Sequence, residues 1–156
     1  MNWTLLVAFV FTTSFTARVS DDSKLEKILS SKIDFQSDRG SLGSFMQALE
    51  DKVKATNKGF KITVLAKDLQ NEGITRNQRI GRLNLKGTTV EKVLTKILIE
   101  ANPRSDAESP SDKKQILVWG IGSDSKDDEQ SVVWVTTREG AKKRDLKLGS
   151  AFVQKK

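Results

Sequence analysis

Four basic residues near the C-terminus are the candidates for binding a polyanion. They are Lys142, Lys143, Arg144 and Lys147. Residues 138–156 hold seven basic and two acidic side chains, a surplus of +5 within the net charge of +7. Lysine and arginine can bind phosphates, and Trp119 or Trp134 could stack on nucleic-acid bases. The alternative interpretation is a solvated charged tail, which is the common role of such runs.

A second group of charged residues is acidic and could hold Ca²⁺ loosely through oxygen ligands. Its members are Asp124, Asp127, Asp128 and Glu129. Their spacing is not that of an EF-hand, so a solvated hairpin loop is the favoured interpretation and we predict no metal site. Gly120 and Gly122 follow a predicted strand, but the sequence does not continue in the pattern of a dinucleotide site.

The composition argues against catalysis. The chain has no histidine, cysteine or tyrosine. Histidine is the usual general base near neutral pH and the commonest metal ligand, so hydrolytic triads and zinc sites are disfavoured. Without cysteine, disulfides and thiolate metal sites are excluded. A Ser–Lys pair or a carboxylate pair remains open, but no spacing singles one out. We therefore predict no catalytic residue, no cofactor and no enzyme.

The hydrophobic pattern changes its period twice, each time from that of a strand to that of a helix. Ile33 and Phe35 alternate with polar residues, and Leu83 and Leu85 do the same further along the chain. Apolar residues at helical spacing follow each alternating stretch. They are Leu42, Phe45, Met46, Leu49 and Val53 in the first helix, and Val90, Val93, Leu94, Ile97, Leu98 and Ala101 in the second. Two strand–helix units predict a small α+β domain.

The remaining segments complete a predicted order of β-α-β-β-α-β-β. Phe60, Ile62 and Val64 alternate as a strand, and residues 67–77 are expected to be a polar connection anchored by Leu69. Residues 103–114 are polar and contain proline, which predicts a loop. Residues 115–120 and 131–137 are rich in Val, Ile and Trp and predict two more strands.

The two last strands are expected to form a hairpin whose long loop is residues 121–130. Trp119 and Trp134 are expected to face each other across this hairpin, as a packing pair rather than a stacking platform. Both helices are expected to pack on one face of a single sheet. The other face then stays open to solvent or to a partner.

Local signals predict where the helices begin and end. Ser41 is placed to cap the first helix, and Gly59 to end it in a left-handed conformation. Thr88 or Thr89 caps the second helix, which stops before Pro103 because proline cannot continue a helix.

The N-terminus is typical of an export signal. Residues 5–11 are an apolar run that suits a signal peptide and is too short to span a membrane. No lysine or arginine precedes the run, and no clear cleavage motif follows it; the alternative is an extra strand or helix packed on the domain. We predict a signal peptide at residues 1–20, a short helix or linker at 21–31, the α+β domain at 32–137 and a basic tail at 138–156. This organisation predicts a periplasmic or secreted protein.

The strand–helix–strand–strand–helix order resembles the short N-terminal domain of secretins and TonB-dependent receptors, the STN domain. The similarity covers roughly residues 32–137. Residues 32–35 resemble its opening strand, and residues 41–49 resemble the start of its first helix. Residues 59–64 are similar to its next strand, and residues 82–94 to its second strand–turn–helix element. Stand-alone domains of this kind occur in exported proteins of planctomycete-like bacteria.

The resemblance implies protein–protein interaction in the cell envelope, with no catalytic residue to carry over. Secretins and receptors continue into large pore domains, so pore formation is not expected of this chain. We therefore predict a non-catalytic module that binds another envelope protein through a sheet edge or an open sheet face. We expect no small-molecule substrate and no transmembrane segment in the mature chain. The alternative is nucleic-acid or polyanion binding through the basic C-terminal tail.

Overall fold

The computed structural model describes residues 15–124 and 127–154. Its helices are α1 (Phe15–Ser30), α2 (Leu42–Lys54), α3 (Ala66–Asn71), α4 (Val90–Glu100), α5 (Arg138–Lys143) and a 3-10 helix (Ser150–Phe152). Its strands are β1 (Lys32–Ser37), β2 (Gly40–Ser41), β3 (Ile62–Val64), β4 (Arg79–Ile80), β5 (Leu83–Thr89), β6 (Leu117–Asp124), β7 (Asp127–Thr137) and β8 (Lys147–Leu148). Residues 1–14 of the predicted signal peptide lie outside the described residues, and residues 15–20 belong to α1.

The predicted α+β class is confirmed, with helices packed against strands around one apolar core. The buried residues of α2 are Leu42, Phe45, Met46, Leu49 and Val53, and those of α4 include Val90, Val93, Leu94, Ile97 and Leu98. These are the residues that the helical spacing placed on one face. The two helices pack against each other, and both contact β1.

The strands form three sheets, where a single sheet was expected. A four-stranded sheet has the order β3-β7-β6-β8, and two pairs stand apart from it, β1 with β5 and β2 with β4. Helix α2 contacts β1 and β3, and helix α4 contacts β5 and β6, so each helix packs against strands of more than one sheet. The prediction of two helices on one face of one sheet is therefore wrong in this detail. The observed order also adds β2, α3, β4, α5 and β8 to the predicted elements.

Side-chain caps fix the start of both core helices. The Ser41 hydroxyl accepts a hydrogen bond from the Ser44 N–H at 3.1 Å, and the Ser44 hydroxyl accepts one from the Ser41 N–H at 2.9 Å. This reciprocal pair is a capping box with serine at both positions. Thr89 caps α4, since its hydroxyl accepts from the Lys92 N–H. The N-cap predictions are confirmed.

The predicted left-handed cap at Gly59 is wrong. Helix α2 ends at Lys54, and the glycines with positive φ in the described part of the chain are Gly73 and Gly87. Residues after α2 instead form successive turns, in which the Asn57 N–H donates to the Val53 carbonyl and the Phe60 N–H donates to the Asn57 carbonyl. These hydrogen bonds pair backbone groups at and after the end of α2 without a residue in the left-handed conformation.

The connection predicted at residues 67–77 contains a short helix, α3. Its anchor Leu69 is fully buried as expected, and Ile74 is a second buried anchor that the pattern did not reveal. The Ile74 N–H donates to the Leu69 carbonyl, and Gly73 turns the chain with a φ of 69°. Only glycine adopts such a φ at low cost, so it allows the chain to return to the core directly after α3.

The β6–β7 hairpin is longer than expected, since strand pairing continues to Asp124 on one side and resumes at Asp127 on the other. The long loop predicted at residues 121–130 is therefore wrong. The register also corrects the tryptophan pair: Trp119 pairs with Val135, and Trp134 pairs with Gly120. Because adjacent residues of a strand point to opposite faces, the two indoles lie on opposite faces of the sheet.

Residues 138–154 fold onto the domain and do not form the expected tail. Helix α5 begins directly after β7, β8 pairs with β6, and Phe152 of the 3-10 helix is fully buried. Gly149 packs against the Trp119 ring, and its N–H donates to the Trp119 carbonyl at 3.1 Å. The basic residues of this segment therefore lie on the surface of the folded domain.

Two polar side chains hold the irregular segment at residues 103–114, which has neither helix nor strand, as predicted. The Asn102 amide donates to the carbonyls of Arg104 and Lys114 and accepts from the Ile116 N–H. The Arg138 guanidinium donates to four backbone carbonyls, those of Pro110, Asp112, Gln115 and Phe152. Partial burial lowers the pKa of Arg138, and the nearby Asp112 carboxylate opposes that shift. The loop and the C-terminus are therefore tied to the same side chain.

We expect Gly149→Ala to destabilise the protein by about 1–3 kcal/mol, because a Cβ at this position overlaps the Trp119 ring and the ring is buried on all sides. Urea denaturation measures the free energy of unfolding. Gly81→Ala is the matched control, since Gly81 has open space around it and an ordinary φ. Its expected effect is within about 0.5 kcal/mol. Equal unfolding midpoints for the two variants would contradict the packing of Gly149 on Trp119.

Candidate functional site

The pair of strands β1 and β5, here called the ribbon, has one buried face and one exposed face. Phe35 of β1 and Leu83 of β5 are buried, and Phe35 packs with its ring centroid 6.3 Å from that of Phe45 on α2. The side chains that point away from the core are exposed. They are Lys32, Asp34 and Gln36 on β1 and Asn84 and Lys86 on β5. The alternation found in the sequence therefore separates a core face from a polar outer face.

A bulge interrupts the ribbon in the middle. Ile33 pairs with Thr88 and Phe35 pairs with Leu85, so β5 has one residue more than β1 over this stretch. Gly87 takes a φ of 57°, and its N–H donates to the Asp34 carboxylate at 2.7 Å. A bulge increases the local twist of a strand pair and fixes its register. Asp34 therefore has a structural partner, although its side chain is on the outer face.

Each strand of the ribbon is paired on one edge only within the described residues. The β1 and β5 strands are six and seven residues long. Their outer edges thus offer backbone N–H and C=O groups over a length typical of a strand in a globular protein. Such an edge can accept an added strand from another chain.

The edge strands of the other sheets are shorter: β3 has three residues, and β2, β4 and β8 have two each. The Val133 N–H donates to the Lys61 carbonyl, and the Leu65 N–H donates to the Val135 carbonyl. Because successive N–H groups of a strand point to opposite sides, the Ile62 N–H on β3 points away from β7. On that outer side of β3, the Glu50 carboxylate accepts a hydrogen bond from the Ile62 N–H at 2.7 Å. At the other edge, β8 has two residues, and its Lys147 is ion-paired with Glu26. Short, charged edges discourage strand addition.

The face of the four-stranded sheet opposite α4 is partly covered by α3 and α5. Asp68 of α3 joins the two helices to the sheet. Its carboxylate accepts a hydrogen bond from the Thr136 hydroxyl at 2.6 Å. It also accepts hydrogen bonds from two nitrogens of the Arg144 guanidinium, at 2.6 and 3.2 Å. Gly140 packs so closely on Asp68 and Thr136 that a side chain there would overlap both. The helices therefore cover the part of this face around Thr136, and the part around Trp134 is half-buried.

The four residues predicted to contact an anion differ in whether they form ion pairs within the fold. Lys142 and Lys143 are exposed on α5, whereas Arg144 is bound to Asp68 and Lys147 to Glu26. The hydrogen bond from Glu26 raises the pKa of Lys147. Two of the four predicted cations are thus already neutralised by partners in the fold.

The structure brings Trp134, Arg144 and Lys147 together around a cleft of about 710 Å³, and Leu146 and Gly122 also line it. The Trp134 Nε1 is buried and has no hydrogen-bond partner among the described residues. Trp119 is on the other face, where its Nε1 donates to the Thr95 hydroxyl at 3.0 Å. Stacking on a base is therefore excluded for Trp119 by its burial.

The side chains of the acidic segment lie outside the part of the chain that the structure describes, so the weak Ca²⁺ alternative stays a prediction. Its residues are Asp124, Asp127, Asp128 and Glu129. In the described part, no group of three or more acidic, histidine or cysteine residues is placed to hold a metal ion. None of the described helices has the length and hydrophobicity needed to cross a bilayer.

A cluster of four exposed arginines was missed by the sequence analysis. We call it the arginine patch; it consists of Arg39, Arg76, Arg79 and Arg82. Ser41 pairs with Arg79 across β2 and β4, and the Gly43 N–H donates to the Arg76 carbonyl at 2.9 Å, so these segments lie together beside the start of α2. A signal was present in the sequence for three of the four, because residues 73–90 contain Arg76, Arg79 and Arg82 and no acidic residue.

Comparison with known proteins gives no family assignment, since no family model, no curated protein and no solved structure matches this chain.

We expect Asp68→Ala to loosen the C-terminal segment, because it leaves Arg144 and Thr136 without their shared acceptor. The free energy of unfolding is expected to fall by about 1–3 kcal/mol. This is less than for a fully buried pair, because the Arg144 side chain is partly exposed. Hydrogen exchange is expected to increase in α5 and β8 before it increases in α2. Asp51→Ala, an exposed carboxylate on α2, is the control and should leave both unchanged. Unchanged exchange in α5 after Asp68→Ala would refute this role.

Proposed function

We propose that this chain is a non-catalytic interaction module that binds an extended segment of another envelope protein along an edge of the ribbon. The observation that carries the proposal is the contrast between edges. The ribbon has two outer edges without a paired strand in the described chain, whereas β3 and β8 are short and have a carboxylate or an ion pair at their edges. Backbone hydrogen bonds would supply affinity, and the exposed side chains of the ribbon would supply specificity.

The resemblance to the STN domain supports the same proposal, because it implies protein binding in the cell envelope. We propose a periplasmic or secreted location with a signal peptide at residues 1–20. The buried residues Leu25 and Leu29 of α1 follow the proposed cleavage region. Cleavage near residues 18–21 would therefore leave the apolar contacts of α1 with the core in place.

Polyanion binding through the C-terminal segment is the second candidate, and it has less support. Lys142 and Lys143 are exposed and free to contact an anion, but Arg144 and Lys147 are engaged with Asp68 and Glu26. A ligand phosphate would have to replace those carboxylates. The ribbon needs no such replacement.

The location is tested by sequencing the N-terminus of the protein recovered from the envelope fraction of cells that express the full chain. We expect a start near residues 18–21. An intact Met1 in protein recovered from the cytoplasm would contradict export without affecting strand addition.

Strand addition is tested with a photoreactive amino acid at Gln36, which is exposed on β1. The control position is Gln47, which is exposed on helix α2 and belongs to neither ribbon strand. We expect a discrete cross-linked partner from Gln36 and none from Gln47. Equal cross-linking from the two positions would show that contact is not specific to the ribbon.

The partner identified in this way is then purified and added to the chain for hydrogen exchange. Main-chain pairing is expected to protect amides of β1 or β5, and contact through side chains alone would not. Protection confined to α5 would favour the second candidate and overturn the first.

A further inference from the structure

The arginine patch continues the end of the ribbon. The last pair of the ribbon is Ser37 with Leu83. Arg82 directly precedes Leu83, and Asp38 and Arg39 directly follow Ser37. A strand added to either edge of the ribbon would therefore have one of its ends beside these arginines.

The charge of the patch is poorly compensated within the described chain. Asp38 is the acidic residue that contacts it, at 3.4 Å from the Arg82 Nε. Both side chains of this ion pair are mostly exposed, and an exposed pair contributes little. No ion pair is formed by Arg39, Arg76 or Arg79 in the described residues, so a surplus of positive charge faces solvent.

The position of the patch is fixed by the start of α2. The Leu42 N–H donates to the Gln78 carbonyl and the Gly43 N–H donates to the Arg76 carbonyl, at 2.8 and 2.9 Å. The first N–H groups of the helix are thus used to hold the segment with the arginines and are not free to bind an anion. An anion at this surface must therefore be bound by the guanidinium groups of the arginine patch.

The surface beside these arginines is concave. Arg39 and Arg79 line a cavity of about 670 Å³, together with backbone at Gly40 and Gly81. Guanidinium groups bind carboxylates through two parallel hydrogen bonds, which gives them geometric selectivity. A cavity of this size can accept one or two acidic side chains.

We propose that the segment that binds the ribbon is acidic at one end, and that the arginine patch binds its carboxylates. This inference rests on the proposed function. A second copy of the chain is a poorer occupant, because its own patch would bring further arginines to a basic surface. A nucleic acid is a poorer occupant because it cannot continue the backbone pairing of the ribbon, which ends at the patch.

The test is selection of peptides from a random display library against the full chain. We expect the recovered peptides to share an alternating β-branched stretch followed or preceded by a cluster of Asp and Glu. Affinity for such a peptide is expected to fall roughly threefold to tenfold when its acidic residues are changed to the matching amides, and to weaken as salt is raised.

The double variant Arg39→Gln and Arg79→Gln should lose the preference for acidic residues and keep the preference for the alternating stretch. Arg104→Gln is the matched control, because Arg104 is an exposed arginine in the loop at residues 103–114. Selection of acidic peptides by the double variant, at the frequency of the unaltered chain, would overturn the inference.

The outcomes separate the two proposals. Alternating peptides without acidic residues would leave strand addition standing and remove the role of the arginine patch. Acidic peptides without an alternating stretch would remove strand addition. A single-stranded oligonucleotide that competes more strongly than a peptide of equal charge would favour nucleic acid instead, and self-association through the ribbon in sedimentation would favour a second copy.

Discussion

The indole of Trp119 is held by α4 on one side and by the C-terminal segment on the other. Its Nε1 bonds to Thr95, and its ring packs on the backbone at Gly149. A buried indole N–H needs an acceptor, so this bond fixes how α4 lies on the four-stranded sheet. The same ring leaves room only for glycine at position 149. The placement of the C-terminus therefore depends on a packing contact formed by the middle of the chain.

The anchored C-terminus also decides which surfaces are free. Asp68 and Arg144 hold α5 against the four-stranded sheet, and Arg138 ties the loop at residues 103–114 to Phe152. One face of that sheet is thereby covered around Thr136, with a cleft left beside Trp134. With β3 blocked by Glu50, the ribbon keeps both an exposed face and two unpaired edges of strand length in the described structure. The proposed function follows from this distribution of edges.

Much of the fold was readable because it depends on local rules. The spacing of Phe45 and Leu49, or of Val93 and Ile97, gives an apolar helix face wherever the helix is placed. Ser41 and Thr89 cap their helices through residues three positions away, so their role needs no tertiary contact. Gly59 failed as a cap because glycine permits a left-handed conformation without requiring it, and the chain closed α2 by turns instead.

The candidate site was harder to predict because it depends on pairing between distant residues. The sequence by itself determined the two core helices, the alternating strands, the lack of histidine and cysteine, and the excess of positive charge. Tertiary structure alone decided that β3 pairs with β7 and β1 with β5, and that Trp119 and Trp134 face opposite ways. It also decided that Arg144 and Lys147 are neutralised while Arg39 and Arg79 are not. The reason is physical: alternation fixes which side of a strand is apolar, but partner and register depend on which surfaces meet when the whole chain packs.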